Sequence, residues 1–262
     1  MAGLNGRLEF AEKLAEAAGE AIRPLFRAHG AVDDKAAPGS FDPVTQADKA
    51  AERAMRALIA QYFPDDGVLG EEEDDVPSRS GYTWVLDPID GTRAFILGLP
   101  LWGTLIALND GTRPIYGVLD QPYTGERWLG GEGRNKFVDQ AGTRVLQTSA
   151  TTQLADAMIM ATHPEIFSTQ AEQAAFGRVA DQCRMVRWGG DCYGYGLLAM
   201  GQVDLVIESS LKAFDIQALI PIIEAAGGLV TDWQGNTCYD GGQILAAANP
   251  ALHEVAMVAL KG

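Results

Sequence analysis

The stretch Trp84-Val85-Leu86-Asp87-Pro88-Ile89-Asp90-Gly91-Thr92 constrains this chain more than any other. Its large apolar residues read as a buried strand, and the strand delivers a pair of carboxylates into a turn. Pro88 stiffens that turn, and Gly91 permits tight backbone geometry. Asp87, Asp90 and the carbonyl of Ile89 can then converge on a cation, so the segment predicts a metal site at a strand end. Upstream, Gly70-Glu71-Glu72-Glu73-Asp74-Asp75 offers further carboxylates.

The kind of metal follows from what the rest of the chain lacks. Three cysteines (Cys183, Cys192, Cys238) form no CxxC pair and leave an odd count, which argues against a disulfide framework or a zinc ribbon and predicts buried thiols. Three histidines (His29, His163, His253) show no i, i+4 pairing, so an imidazole-built zinc or iron site is disfavoured and a hard cation is expected. A net charge of −15 disfavours nucleic acid and anionic membranes as partners. The same charge repels a phosphorylated substrate unless cations intervene, and a metal-bridged anion resolves that conflict. With 262 residues, 47% of them hydrophobic, the chain can bury a large core in one domain or in two closely joined subdomains, 1–147 and 148–262. No apolar run approaches the roughly 20 residues that span a bilayer. The N-terminus is too acidic and interrupted for a signal peptide, and a cytoplasmic protein is expected.

Apolar residues from Leu4 to Phe26 recur at helical spacing and predict a long first helix that Pro24 kinks or shortens. A polar loop over 30–42 is a candidate lid, and a second helix is expected from near Thr45 to before Pro64. Short β-rich segments at 83–87, 102–108, 114–119, 126–130 and 136–138 predict an antiparallel sheet. Beyond them, strands at 157–161, 184–188, 203–208, 228–232 and 244–248 alternate with helices at 165–182, 192–200, 215–226 and 250–260, an α/β pattern.

Gly70-Glu71-Glu72, Asp87-Pro88-Ile89-Asp90-Gly91-Thr92 and Phe214-Asp215, the last followed by a helix ending Glu224-Ala225-Ala226-Gly227-Gly228, together resemble the inositol monophosphatase family. Asp42-Pro43-Val44-Thr45-Gln46-Ala47-Asp48 resembles the segment between that family's first two helices, so the likeness covers essentially the whole chain. It implies an α/β (α+β) fold, the layered αβαβα sandwich shared with fructose-1,6-bisphosphatase. It also implies hydrolysis of a small phosphate monoester with two or three Mg²⁺ ions, Mn²⁺ being an alternative, and a homodimer.

Carried over by position, Glu71, Asp87, the Ile89 carbonyl, Asp90 and Asp215 hold metal, while Thr92, Asp48 and Glu71 serve the attacking water. Gly91 and Thr92 amides meet phosphate oxygens, and Lys35 adds charge from the loop. Plainer readings stand beside these. Asp87 to Gly91 are ordinary turn formers, Thr45 to Asp48 is a capping-box pattern, and Asp215 falls where a helix N-cap belongs. Glu72 to Asp75 read as solvated surface. A non-catalytic protein binding Ca²⁺ or Mg²⁺ structurally is a further reading, against which Thr92 stands, since such a site needs no hydroxyl to orient water.

The leaving group is addressed by other residues. Arg93-Ala94-Phe95-Ile96 follows the metal motif, and Trp188-Gly189-Gly190-Asp191-Cys192-Tyr193 places a carboxylate where polyol-cleaving relatives have a small residue. Glu208 ends the run Val203-Asp204-Leu205-Val206-Ile207. These segments resemble the histidinol-phosphate phosphatase branch of the family, whose substrate carries an ammonium and an imidazole, and Asp191 and Glu208 are expected to pair with them. Their plainer readings are a helix cap and a strand-end surface charge. An inositol-1-monophosphatase or a broad-specificity phosphatase is the alternative. Trp102, Trp128 and Trp188 remain open between site, interface and core.

Overall fold

The protein is described by a computed structural model covering residues 3–28, 32–34 and 43–262. Helix α1 (Leu4–Ile22) buries Leu8, Ala11, Leu14, Ala15, Ala18 and Ile22, spaced three and four apart along one face. It stops just ahead of Pro24, which shortens rather than kinks it. Strands β1 (Val32–Asp34) and β2 (Pro43–Thr45) make an antiparallel pair, after which α2 (Gln46–Tyr62) begins on the expected capping box of Thr45 and Asp48.

The larger sheet contains β3 (Gly67–Gly70), β4 (Thr83–Asp90), β5 (Gly103–Asn109), β6 (Pro114–Gln121), β7 (Glu126–Gly131), β8 (Arg134–Asp139) and β9 (Gly142–Arg144), in chain order, with the short helix α3 (Thr92–Ile96) between β4 and β5. It is antiparallel except at its edge, where β3 runs parallel to β4. Both β3 and β9 escape a reading of the sequence: the first is a short segment with a glycine at each end, and the second has no buried residue to mark a period.

The second sheet takes β10 (Met158–Ala161), β11 (Met185–Trp188), β12 (Leu205–Lys212), β13 (Leu229–Asp232) and β14 (Gly241–Ala247) in the order β11-β10-β12-β14-β13. The first three are mutually parallel, and β14 is antiparallel to both β12 and β13. Its helices are α4 (Gln170–Ala180), α5 (Asp191–Ala199), α6 (Ala213–Ile216), α7 (Leu219–Ala226) and α8 (Pro250–Lys261). The helix expected over 165–182 is shorter, because Pro164–Ile166 form a separate 3₁₀ turn and a Thr169/Glu172 capping box sets the start of α4. The helix expected over 215–226 divides into α6 and α7.

Strand periodicity explains the layering. Along β4, Trp84 and Leu86 enter a core beneath α1 and α2, while Val85 enters a central core shared with α5 and α7. Along β12, Val206 joins that central core, whereas Leu205 and Ile207 face a third core under α4 and α8. Helices, sheet, helices, sheet, helices therefore follow in order, the αβαβα sandwich expected from the family likeness. Trp102 and Trp128 are core residues of the first and central layers, and Trp188 is half-buried against the third.

Candidate active site

Asp87 and Asp90 are three residues apart, and in a regular strand they would project to opposite faces. A bulge prevents this: β4 spends three steps from Asp87 to Asp90 where β5 spends two, from Leu105 to Gly103. Pro88, which has no N–H to offer the ladder, sits in that bulge. Its carbonyl accepts from the Thr104 hydroxyl at 2.8 Å, and the Ile89 N–H donates to Asp87 Oδ1 at 3.1 Å. The chain then turns through Gly91 at φ 85°. A Cβ there would come within 3.0 Å of the Leu101 carbonyl and 3.2 Å of Asp191 Cβ, so both conformation and space require glycine.

Asp215 comes from the other half of the chain. It is the third residue of α6, not an N-cap, and its Oδ2 accepts the Lys212 N–H at 2.7 Å. Ligand oxygens of Asp87, Asp90 and Asp215 all lie within 4.8 Å of one another. Burial pushes Asp87 well above the usual carboxylate range, with the charges of Glu71, Asp90 and Asp215 adding to it. Burial likewise raises Asp90, reinforced by Asp191 and Asp215, and lifts Asp215 to about 7. Such a cluster is electrostatically costly by itself, and a cation relieves the cost. The donors are all oxygens and include neither His nor Cys, so they fit a hard divalent ion of the Mg²⁺ kind.

The cap expected of Asp48 is present and uses one of its two carboxylate oxygens. Oδ2 accepts the Thr45 N–H at 2.9 Å and its hydroxyl at 2.5 Å, whereas Oδ1 is buried with no hydrogen-bond partner. Burial pushes Asp48 up to about 6, and Glu72 and Glu71 contribute to the rise. Glu71, in the loop after β3, thus acts electrostatically on Asp48, Asp87 and Asp215 together. The Thr92 hydroxyl donates to the Ile89 carbonyl at 3.0 Å, which leaves its oxygen free to accept from a water. Lys35 lies outside the described residues, as does most of the loop 30–42.

A second pair of acids, Asp191 and Glu208, is carried by the smaller sheet and the helix after β11, near the carboxyl ends of the parallel strands, where open α/β sheets place their ligands. Asp191 opens α5 just past β11, and the next residue ties it to the acidic cluster: the Cys192 N–H donates to Asp90 Oδ2 at 2.6 Å. Asp191 is the first helical residue, following Gly190 at the cap, and holds φ at 45°, an uncommon conformation for a residue with a side chain. Glu208 is 3% exposed and lies inside β12 rather than at a strand-end surface, next to a second bulge between Glu208 and Leu211. Thr162, just past β10, donates its N–H and its hydroxyl to Glu208 Oε1, each at 2.7 Å. The same Thr162 side chain acts on Asp191 as well, opposing part of the rise that burial causes there. Burial pushes Glu208 up to about 8 and Asp191 to about 6. Arg93 stands exposed at the rim, where its Nη1 lies 2.9 Å from His163 Nε2 and its charge acts on Asp191.

Thr162 was not legible in the sequence. A threonine after a short apolar strand carries no signal until the parallel pairing sets it between two acids. Glu52 was also missed, although an acidic residue next to Ala51 and Met55 on the apolar side of a predicted helix hints at a buried charge.

The model of the inositol monophosphatase family matches residues 4–261, and the chain belongs to that family. It is a phosphoric monoester hydrolase. The Bifunctional phosphatase IMPL2, chloroplastic, of Arabidopsis thaliana is 41% identical over 95% of this chain and 73% of its own length. A histidinol-phosphatase of Mycobacterium tuberculosis is 34% identical over 97% of both. Among solved structures, an inositol monophosphatase from Zymomonas mobilis superposes with a TM-score of 0.87 at 40% identity, covering 100% of both chains. No described helix is long and apolar enough to cross a membrane.

Proposed function

We propose that this phosphatase hydrolyses L-histidinol phosphate to L-histidinol and phosphate, with Mg²⁺ as its metal. The observation that carries the reading is the pair of buried acids Asp191 and Glu208, the second held by Thr162 and the first next to Cys192, whose N–H donates to Asp90. Two acids held together beside a phosphate site suit a leaving group that bears an ammonium and an imidazole. The histidinol-phosphatase name of the mycobacterial relative supports the same substrate.

In this account Asp87, Asp90, Asp215, Glu71 and the Ile89 carbonyl hold the metal. Bound Mg²⁺ supplies neutralisation of the phosphoryl oxygens, a lowered water pKa and stabilisation of the departing alkoxide. The unpartnered Asp48 Oδ1 and the Thr92 oxygen orient the attacking water, with Asp48 able to take its proton. Gly91 and Thr92 amides receive phosphate oxygens, and Arg93 meets the substrate at the rim. Buried walls around Asp87 exclude bulk water and strengthen each of these interactions.

The test is Asp191→Asn. It should raise KM for histidinol phosphate about tenfold or more while leaving hydrolysis of a neutral-alcohol phosphate nearly unchanged. Equal losses on both substrates would remove Asp191 from recognition. A second reading, a polyol phosphate such as inositol 1-phosphate, draws on the likeness to the Zymomonas mobilis enzyme. We also propose a homodimer, for which light scattering should give twice the chain mass; a monomeric mass at assay concentration would contradict it.

A further inference from the structure

The acidic loop that carries Glu71 is closed at its base by the reciprocal Val68 and Val76 bridge, at 2.9 and 2.8 Å. Within it, residues 71–75 are all acidic, and mutual repulsion would splay such a loop away from the equally acidic Asp87 and Asp215. Arg53 on α2 pairs with the Glu73 side chain at 2.9 Å in an exposed contact, and two further residues of α2 hold the loop's backbone. Glu52 Oε2 accepts the Glu72 N–H at 2.9 Å, and its Oε1 accepts the Glu73 N–H at 3.1 Å and Arg56 Nε at 2.8 Å. Arg56 continues the bracket, donating through Nη1 to the Asp74 carbonyl at 2.9 Å and through Nη2 to the Glu73 carbonyl at 2.8 Å. The Glu52 side chain is fully buried and that of Arg56 12% exposed, so the ion pair is shielded from solvent. Gly70 completes the fit, because a Cβ there would run into Glu52 Oε1 and approach Arg56 Nη2 to 2.7 Å.

We infer that Glu52 and Arg56 are positioning residues that set the metal affinity of the site by holding in place the backbone that directly follows Glu71. The inference rests on the proposed role of Glu71 as a metal ligand. Asp48 lies one helical turn before Glu52 on α2, so one rigid helix places the carboxylate assigned to water and the loop assigned to the metal. A ligand loop ordered in advance does not lose its conformational freedom on binding, which is where the affinity comes from. Neither residue is required to touch substrate or the reacting atoms.

Mn²⁺ binding to the purified full-length protein without substrate, followed by electron paramagnetic resonance, reads this directly. Glu52→Gln should weaken Mn²⁺ binding about tenfold, and Arg56→Lys, which keeps the charge but cannot span both carbonyls, by a smaller factor. At saturating metal, turnover should stay within about threefold of wild type, so the loss appears in metal dependence rather than in kcat. A double-mutant cycle separates this from general weakening: in a Glu71→Gln background, Glu52→Gln should cost less than a further twofold or so. Additive losses, or wild-type Mn²⁺ affinity in a folded Glu52→Gln protein, would overturn the inference. If Glu52→Gln fails to fold, Arg56→Lys decides alone, with unchanged Mn²⁺ affinity counting against the bracket. Failure of wild type to bind Mn²⁺, or indifference of binding to Asp90→Asn, would instead remove the metal site and the inference with it.

Discussion

Single residues at this site are asked to do more than one thing. Asp48 caps α2 with one oxygen and keeps the other unpartnered, and Thr162 serves two acids at once. Glu208 gives the clearest consequence. Burial raises it to about 8 from an ordinary 4.5, so between those values the folded chain retains a proton that the unfolded chain has lost. Its contribution to stability is therefore complete at low pH and disappears as pH rises through about 8. The metal-free protein should lose more thermal stability between about pH 6 and 8.5 than Glu208→Gln, which cannot ionise. Parallel pH profiles for the two proteins would place Glu208 in a solvated environment and contradict its burial. Paired carboxylates around a proline and a glycine made Asp87 and Asp90 visible in the sequence. Nothing local distinguished Thr162, whose role exists only across strands.

At the scale of elements, both acid pairs depend on irregular strands. The bulge in β4 turns Asp87 and Asp90 to a common site, and the bulge in β12 follows Glu208, with Ser210 inside it at φ 69° before Leu211 and Lys212 pair with Gly242 and Gly241. The first bulge was foreshadowed by Pro88, which a central strand does not tolerate otherwise. The second had no proline to announce it, and the strand was expected to end at Glu208 although it continues to Lys212. The capping box at Thr45 marked the start of α2, and α5 starts at Asp191, next to the expected Cys192, although backbone strain replaces a conventional cap there; the box at Thr169 was passed over, and α4 starts at Gln170 rather than at Glu165. Gly91 carries the most sensitive geometry. Gly91→Ala should destabilise the protein by about 1 to 3 kcal/mol in a denaturant titration, through its left-handed φ and its approach to Leu101. It should also lower kcat by tenfold or more, because Asp90 and Thr92 flank it. A variant as stable and active as wild type would show that the turn can relax without consequence.

For the whole molecule, the sandwich brings together acids that the chain keeps far apart. Asp87 and Asp90 come from the larger sheet, Asp191 and Asp215 from helices between the sheets, and Glu208 from the second sheet. That assembly was legible only through the family likeness, since no spacing of residues predicts which strand ends will face each other. The net charge of −15 has a local counterpart in the clustered Asp87, Asp90 and Asp215, whose repulsion of a phosphate a divalent cation would offset. The most direct measurement is phosphate release from L-histidinol phosphate and from inositol 1-phosphate, side by side, with Mg²⁺ or with chelator, and with Asp90→Asn as the blank. The account predicts Mg²⁺-dependent release that strongly favours histidinol phosphate and falls by about a thousandfold or more in Asp90→Asn. Preference for the inositol ester would contradict the substrate, and release that persists with chelator or in Asp90→Asn would contradict the metal site itself.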